Sequence, residues 1–489
     1  MNIKILDTTL RDGEQTPGVS LTSTQKFRIA TFLDEIGVNY IEAGYAITSE
    51  GERKSIKEIT SQGFKSEILS FARPLTLDID YCIDCDVDAV NLVVPTSELH
   101  IHDKLNTTTE NLINLSNDAV DYCKDHGLTV EISAEDASRS DLDFLKGFFS
   151  NAIDHGADRI CVCDTVGILT PESSLELFSS FKDFSVPVAC HCHNDFGLAV
   201  ANTLSAVKGG ASEIHTTVNG IGERAGNTSF EECVVSLDRL YPQFSTDINI
   251  RYINILSKIV ARDTGVYIQP NKAIVGKNAF SHESGIHSDG IIKNSELYEA
   301  INPEMVGRKR EFIVGKHSGT HGLNERLKEF NIFANPDQLK QICDNVKVLA
   351  DKGKTVTDRE LLVIVDNVLN INYEDRIKLD EVTAVTGNKV MSTASVKIKV
   401  DDEEIVSSGF GVGPVDAAIN ALKSIEIFKD IELDEYHVDA ITGGTDAFID
   451  VIIKVKKGDR IISARGTEED IINASVKAYI AGANRLLSD

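Results

Sequence analysis

The chain has 489 residues, 42% of them hydrophobic, with 49 Lys and Arg against 76 Asp and Glu and a formal charge of −27. That length implies two or three domains, and the apolar content excludes wholesale disorder. The acidic balance argues against nucleic acid or an anionic membrane as a partner.

No run approaches the roughly 18 apolar residues that a membrane span needs, and no basic-then-apolar leader opens the sequence. Nine cysteines, an odd number scattered through apolar runs, fit a reducing cytoplasm better than a disulfide framework. The CxxC of Cys82 and Cys85 lacks a second pair or a redox context and reads as structural.

In chain order, short β-branched runs alternate with amphipathic stretches. The runs are NIKILD, VNYIEAG, SEILSFA, AVNLVVP, TVEISAE, RICVCDT, PVACHCH and EIHTTVNG. Between them lie segments such as STQKFRIATFLDEIG and DFGLAVANTLSAVKGG, most ending in Gly, a common helix stop. Alternation of this kind implies right-handed βαβ units and a parallel sheet. Eight units within about 220 residues favour a closed (β/α)8 TIM barrel, whose chemistry lies at the C-terminal strand ends. An open doubly wound sheet is the rival, but no GxGxxG follows the first strand.

The barrel pattern fades after Gly226, and residues 228–370 read as mainly helical with a Gly- and His-rich interruption at 276–319. The last third repeats itself: IKLDEVTAVTG is echoed by IELDEYHVDAITGG, VKIKV by VIIKV, and VDAAINALKSI by IINASVKAYIA. Each copy reads as three strands and a helix, giving a pseudo-symmetric αβ domain. Its glycine clusters at 409–413 and 442–444 suit close backbone approach to a ligand or a subunit. The expected division is a catalytic barrel over 1–265, a linker subdomain over 266–372 and an effector-binding regulatory domain over 373–489.

The chemistry concentrates at the strand ends. His191 and His193, two apart at the end of the seventh strand, share one face, and paired neutral imidazoles suit a first-row divalent cation. Asp12 follows the first strand and Asn227 follows the eighth, so both adjoin the pair in a closed ring. Two nitrogens and two oxygens leave positions open for substrate and suit Mn, Mg, Co or Zn; the alternative is a polar rim without metal. Arg11 brings a permanent charge beside Asp12, and Gln15 brings a neutral hydrogen-bonding group. Metal and arginine together suit a developing oxyanion or enolate. Glu135 and Thr165 reach the same cavity, unless Glu135 is a rim acid paired with Arg139.

DTTLRDGEQTPG (7–18), HCHNDFG, NGIGERAGN and SGIHSDG (284–290) together resemble the motifs of the 2-isopropylmalate, citramalate and homocitrate synthases. These are metal-dependent Claisen condensing enzymes. The likeness spans essentially the whole chain and includes the C-terminal repeat, which resembles their effector-binding domain. It implies that Asp12, His191, His193 and Asn227 hold the divalent metal and that Arg11 stabilises the enolate or alkoxide. It places Glu135 and Thr165 on the 2-oxo acid. His287 then removes a proton from the acetyl-CoA methyl group, with Tyr298 close to the active site. A homodimer is implied, in which one protomer's linker covers the other's barrel.

The acceptor separates the members: pyruvate gives citramalate, 2-oxoisovalerate gives 2-isopropylmalate, and 2-oxoglutarate gives homocitrate. AGYAITSEGER (43–53) looks most like archaeal-type citramalate synthases, and Tyr45 and Ile47 are candidates to shrink the pocket toward pyruvate. The order of expectation is citramalate, then 2-isopropylmalate, then homocitrate synthase. An aldolase or lyase of the same barrel group has no need of SGIHSDG or the repeat. An amino-acid-sensing non-enzyme leaves the metal constellation without purpose. The expected effector is isoleucine, or leucine for the second reading.

Overall fold

The computed structural model describes residues 1–353, 356–369, 376–401, 403–440, 449–458 and 460–487. Its contacts divide the chain into two compact units, one of residues 1–281 with 299–310 and one of residues 282–298 with 311–489.

The first unit contains a closed parallel barrel of β1 (Lys4–Asp7), β2 (Tyr40–Gly44), β3 (Glu67–Ala72), β4 (Ala89–Pro95), β5 (Thr129–Glu135), β6 (Arg159–Asp164), β7 (Val188–Cys192) and β8 (Glu213–Thr216). β8 returns to β1 in the register Lys4 with Glu213 through Asp7 with Thr216, which closes the ring. Helices α1 (Ser23–Glu35), α2 (Glu50–Thr60), α3 (Thr76–Asp84), α4 (Thr109–Asp125), α5 (Leu142–Asp154), α6 (Pro171–Ser179), α7 (Ala199–Gly209) and α8 (Phe230–Leu240) follow the strands in turn. Their starts are set by side-chain caps: Thr22, Ser49, Thr108, Asp141 and Thr170 each accept a backbone N–H of the first turn. Ile5, Ile41, Val90, Ile132, Ile160 and Ile214 are buried between strands and helices. Each such side chain is worth about 1.5–3 kcal/mol when taken from water.

The barrel interior is not uniformly apolar. Leu6, Leu69 and Ala89 form one apolar patch. Glu42, Asn91, Glu131, Arg159, Glu213 and His215 are buried in polar layers.

In the second unit, helices Thr320–Glu329, Pro336–Ala350 and Asp358–Leu369 share a core of Leu327, Ile342, Val346 and Val365. The repeat follows as two antiparallel three-stranded sheets. Strands Ile377–Gly387, Val390–Val400 and Glu403–Gly411 lead to helix Pro414–Lys423. Strands Glu432–Ala440, Ile449–Lys457 and Arg460–Glu468 lead to helix Ile471–Leu487. Both copies bury side chains in one core, including Val396, Leu422, Ile453, Val455 and Tyr479.

Glycine in each third strand permits the helix to approach. A Cβ on Gly409 would lie 2.4 Å from Ala421 N and 2.7 Å from Ala417 O. One on Gly466 would lie 2.7 Å from Ala478 N and 2.1 Å from Ala474 O. Within the cluster at 409–413, Gly409 and Gly411 serve close helix–strand packing while Gly413 has open space, and the cluster at 442–444 lies outside the described residues.

One buried charge ties the β1 loop to the barrel wall. Lys26 of α1 is 1% exposed, and its ammonium meets Leu10 O at 3.0 Å, Glu52 at 2.7 Å and Glu14 at 2.6 Å. Removing the cation strands two carboxylates with little solvent, which costs about 3–5 kcal/mol. Lys26→Ala is expected to lower the urea midpoint of the barrel accordingly; an unchanged midpoint would contradict this role.

Candidate active site and metal centre

The loop after β1 folds back on itself. The N–H groups of Arg11 and Gly13 both donate to Thr8 O, at 3.2 and 3.0 Å, and that of Asp12 donates to Thr8 Oγ1 at 3.3 Å. This turn delivers Arg11 and Asp12 to the barrel mouth. Arg11 Nε donates to Glu42 Oε2 at 2.7 Å, and its Nη1 lies 3.1 Å from Asp12 Oδ2. Glu42 also accepts from Asn91 Nδ2 at 2.9 Å, and Asn91 Oδ1 accepts from Ser133 Oγ at 2.7 Å. A polar chain thus runs from the β1 loop through β2 and β4 to β5.

His191 and His193 project from the end of β7 into the same space. Their Nε2 atoms are 3.3 Å apart, and Asp12 Oδ2 lies 3.2 Å from His191 Nε2 and 3.9 Å from His193 Nε2. The fourth residue, Asn227, is placed by a tight loop: Asn227 N donates to Gly220 O at 3.1 Å, and Gly226 before it has φ +88°. A Cβ on Gly226 would lie 1.9 Å from Gly220 O, so this position admits only glycine. Asn227 Nδ2 is 3.2 Å from Asp12 Oδ2 and 3.1 Å from His191 Nε2. A half-turn of the amide exchanges its nitrogen for its oxygen at that point.

This donor set fits a divalent cation. Among the described residues, Asp12 Oδ1 and Asn227 Oδ1 are buried oxygens without a hydrogen-bond partner. The ligand atoms of Asp12, His191 and His193 lie within 4.8 Å of one another. Burial opposes the charge of Asp12, but Arg11 and then the two histidines outweigh it and hold the carboxyl far below its ordinary range. Burial, reinforced by His191, pushes His193 down to about 4, so its ring is neutral with a lone pair to offer.

Below the pair, His191 Nδ1 faces His215 Nδ1 at 3.3 Å, and His215 Nε2 lies 3.2 Å from Glu131 Oε1. Burial works against charge on His215, yet Glu131 and Glu213 raise it to about 10. Arg159, 3.4 Å from Glu131 and 3.8 Å from Glu213, balances the layer. Such outer partners fix the orientation of a ligating ring.

Arg11, Asp12, Gln15, Glu135, Thr165, His191 and His193 all line one cavity of about 280 Å³. Glu135 pairs with Lys104, at 2.7 and 2.8 Å, whereas Arg139 pairs with Asp136 at 2.8 Å. Thr165 Oγ1 accepts from Asp136 N at 2.8 Å, which leaves its own proton to donate. Arg224 Nε donates to Asp195 and its Nη2 to Thr165 O, both at 2.8 Å, joining the β6 and β7 ends. Neither Tyr45 nor Ile47 is part of the lining. The Tyr45 ring meets that of Phe71, which is, with centroids 4.6 Å apart. Arg73 forms both arms of its contact with Asp78 at 2.9 Å.

Glu42, Phe71, Lys104 and Arg224 are not singled out by the sequence. Glu42 carried a signal, a charge within an apolar strand; Lys104, in the five-residue π-helical turn His100–Lys104 after β4, carried none. His287 and Tyr298 belong to the second unit. Both are exposed, and their rings stack with centroids 4.3 Å apart.

Residues 2–260 match the HMGL-like family, residues 274–354 the homocitrate synthase post-HMGL domain-like family, and residues 355–487 the LeuA allosteric (dimerisation) domain. The chain is 58% identical to a putative (R)-citramalate synthase of Methanothermobacter thermautotrophicus, covering 100% of this chain and 99% of that one. It is 53% identical to the (R)-citramalate synthase of Methanocaldococcus jannaschii, with 100% of both chains covered. The 2-isopropylmalate synthase of the latter organism is 47% identical over 99% of this chain and 95% of its own. Hydroxymethylglutaryl-CoA lyase from Pseudomonas aeruginosa matches 55% of this chain and 94% of its own at a TM-score of 0.50 and 17% identity, a likeness of fold.

Asp12→Asn and His193→Ala each weaken the cation site, and loss of a ligand is expected to reduce Mn(II) affinity roughly tenfold or more. Titration followed by metal analysis reads this directly. Wild-type affinity in both folded variants would rule out the cluster as the binding site.

Proposed function

As a member of the HMGL-like family, to which this chain belongs, it is, we propose, a citramalate synthase that condenses acetyl-CoA with pyruvate. The observation that carries the reading is 53–58% identity over the full length of the citramalate synthases, on a barrel whose mouth holds the Asp12, His191 and His193 cluster. The 47% identity to a 2-isopropylmalate synthase supports a second reading, with 2-oxoisovalerate as acceptor.

We assign Asp12, His191, His193 and Asn227 as holders of a divalent cation, Mn, Mg, Co or Zn, which when bound supplies Lewis acidity to the acceptor carbonyl. Arg11, fixed by Glu42, presents a permanent charge to the oxyanion that forms as the new bond is made. Thr165 donates its free hydroxyl proton, and Glu135, neutralised by Lys104, and Gln15 orient the acceptor. His287 takes a proton from the acetyl methyl group, with Tyr298 stacked beneath it. The resulting carbon nucleophile bonds to C2 of pyruvate, and the former keto oxygen gains a proton. Water then splits the thioester, releasing citramalate and CoA thiol. Holding both reactants in one cavity replaces a rare collision with a positioned encounter.

The match of residues 355–487 to the LeuA allosteric (dimerisation) domain supports a homodimer regulated through the repeat, with isoleucine as effector. Among the described residues no helix is long and apolar enough to cross a membrane. All nine cysteines are buried free thiols, which supports a reducing cytoplasm.

The test is release of free CoA thiol with Mn or Mg and a panel of pyruvate, 2-oxobutyrate, 2-oxoisovalerate and 2-oxoglutarate. Pyruvate is expected to give the highest kcat/KM, and a preference for 2-oxoisovalerate would select the second reading. Arg11→Ala is expected to lower kcat about 10²–10³-fold. Isoleucine is expected to slow the wild-type reaction, and an unaltered rate would remove it as effector.

A further inference from the structure

The wall of the barrel cavity beside Arg11 is an aromatic ring fixed from outside the cavity. Phe71, on β3, lines the cavity, and the Arg11 guanidinium carbon lies 5.1 Å from its ring centroid. On another side Tyr45 meets the ring edge-on, with an interplanar angle of 69°. Tyr45 is itself anchored. Its hydroxyl donates to Asp78 Oδ2 at 2.8 Å, and Asp78, 1% exposed, also accepts Arg73 Nε and Nη2 at 2.9 Å and Arg73 N at 3.1 Å. The Tyr45 N–H donates to Glu52 Oε1 at 3.2 Å. Backbone, ring and hydroxyl are thus held by three different elements.

We infer that Arg73, Asp78 and Tyr45 form a clamp that keeps Phe71 against Arg11 and thereby limits the alkyl group a 2-oxo acid can carry into the cavity. A phenyl ring at a strand end has other staggered rotamers open to it, and swinging outward would vacate space for further acceptor carbons. Tyr45 packs edge-on against the ring, with centroids 4.6 Å apart, and the Asp78 tie holds Tyr45 in that place. Tyr45 is a positioning residue, acting on the acceptor only through Phe71. The inference rests on reading this cavity as the 2-oxo acid site.

A pocket wall of this kind discriminates roughly 10–200-fold per methylene. In the full-length protein, Tyr45→Phe and Asp78→Asn are expected to raise kcat/KM for 2-oxobutyrate relative to pyruvate roughly tenfold, with Mn(II) affinity unchanged. Phe71→Leu is expected to raise the ratio further, and Tyr45→Phe added to Phe71→Leu to add nothing, because residues acting through one contact are not additive. A clamp that merely braced the barrel would lower the rates for all acceptors together and leave the ratio unchanged; that result, or full additivity in the double variant, overturns the proposal. The two variants that untie Tyr45 by different routes keep the test open if one fails to fold. The wild-type acceptor preference tests the function separately, since the ratio reports the clamp whichever acceptor the wild type favours.

Discussion

The mouth of this barrel depends on one buried ion pair, Arg11 with Glu42. Glu42 is fully enclosed and the Arg11 side chain is 11% exposed. A pair taken so far from water survives only when its remaining hydrogen-bonding positions are filled. Here Asn91 and Thr8 also donate to Glu42, and Asp12 takes another arm of Arg11. The same contacts fix the loop after β1 and hold Asp12 ionised. Arg11 also packs over Phe71, so the groups that would meet charge and those that would meet an alkyl chain share one anchor.

Charge in the barrel is arranged in layers. A candidate cation site sits at the mouth, where two imidazoles and a carboxylate face one another. Beneath it Glu131 and Glu213 face Arg159 and His215, and Glu67, 2.9 Å from Arg159, joins the balance. Isolated charges at this depth would be prohibitive, and the balance lets polar side chains replace the packed aliphatic layers usual in such barrels. The lower layer also braces His191 from behind, a support that a lone surface histidine lacks.

The second unit solves a different problem. Two small βββα copies, each too thin to bury its own sheet, merge their inner faces into one core. Gly409 and Gly466 repeat a single device, a strand position without a side chain on which the helix backbone rests. Asn484 ties the copies together, accepting from Ile377 N at 2.9 Å and donating to Ile377 O at 2.8 Å.

The eight strands, the polar strand ends and the βββα repeat were legible because each is a local pattern: alternation, periodicity or self-similarity within a few dozen residues. His191 and His193 were readable as a pair because a strand fixes the direction of residues two apart. Partners were not readable. Nothing near Glu135 in the chain indicates Lys104, 31 positions away, and Arg139, the neighbour in sequence, faces Asp136 instead. The motif at 43–53 points Tyr45 toward the pocket, but its place behind Phe71 depends on how β2 and β3 meet. The sequence by itself determined that Arg11, Asp12, Gln15, Glu135, Thr165, His191 and His193 stand at the barrel mouth. Only the tertiary structure decided which of them touch, because side-chain reach and strand register, not chain distance, set the contacts across a closed ring.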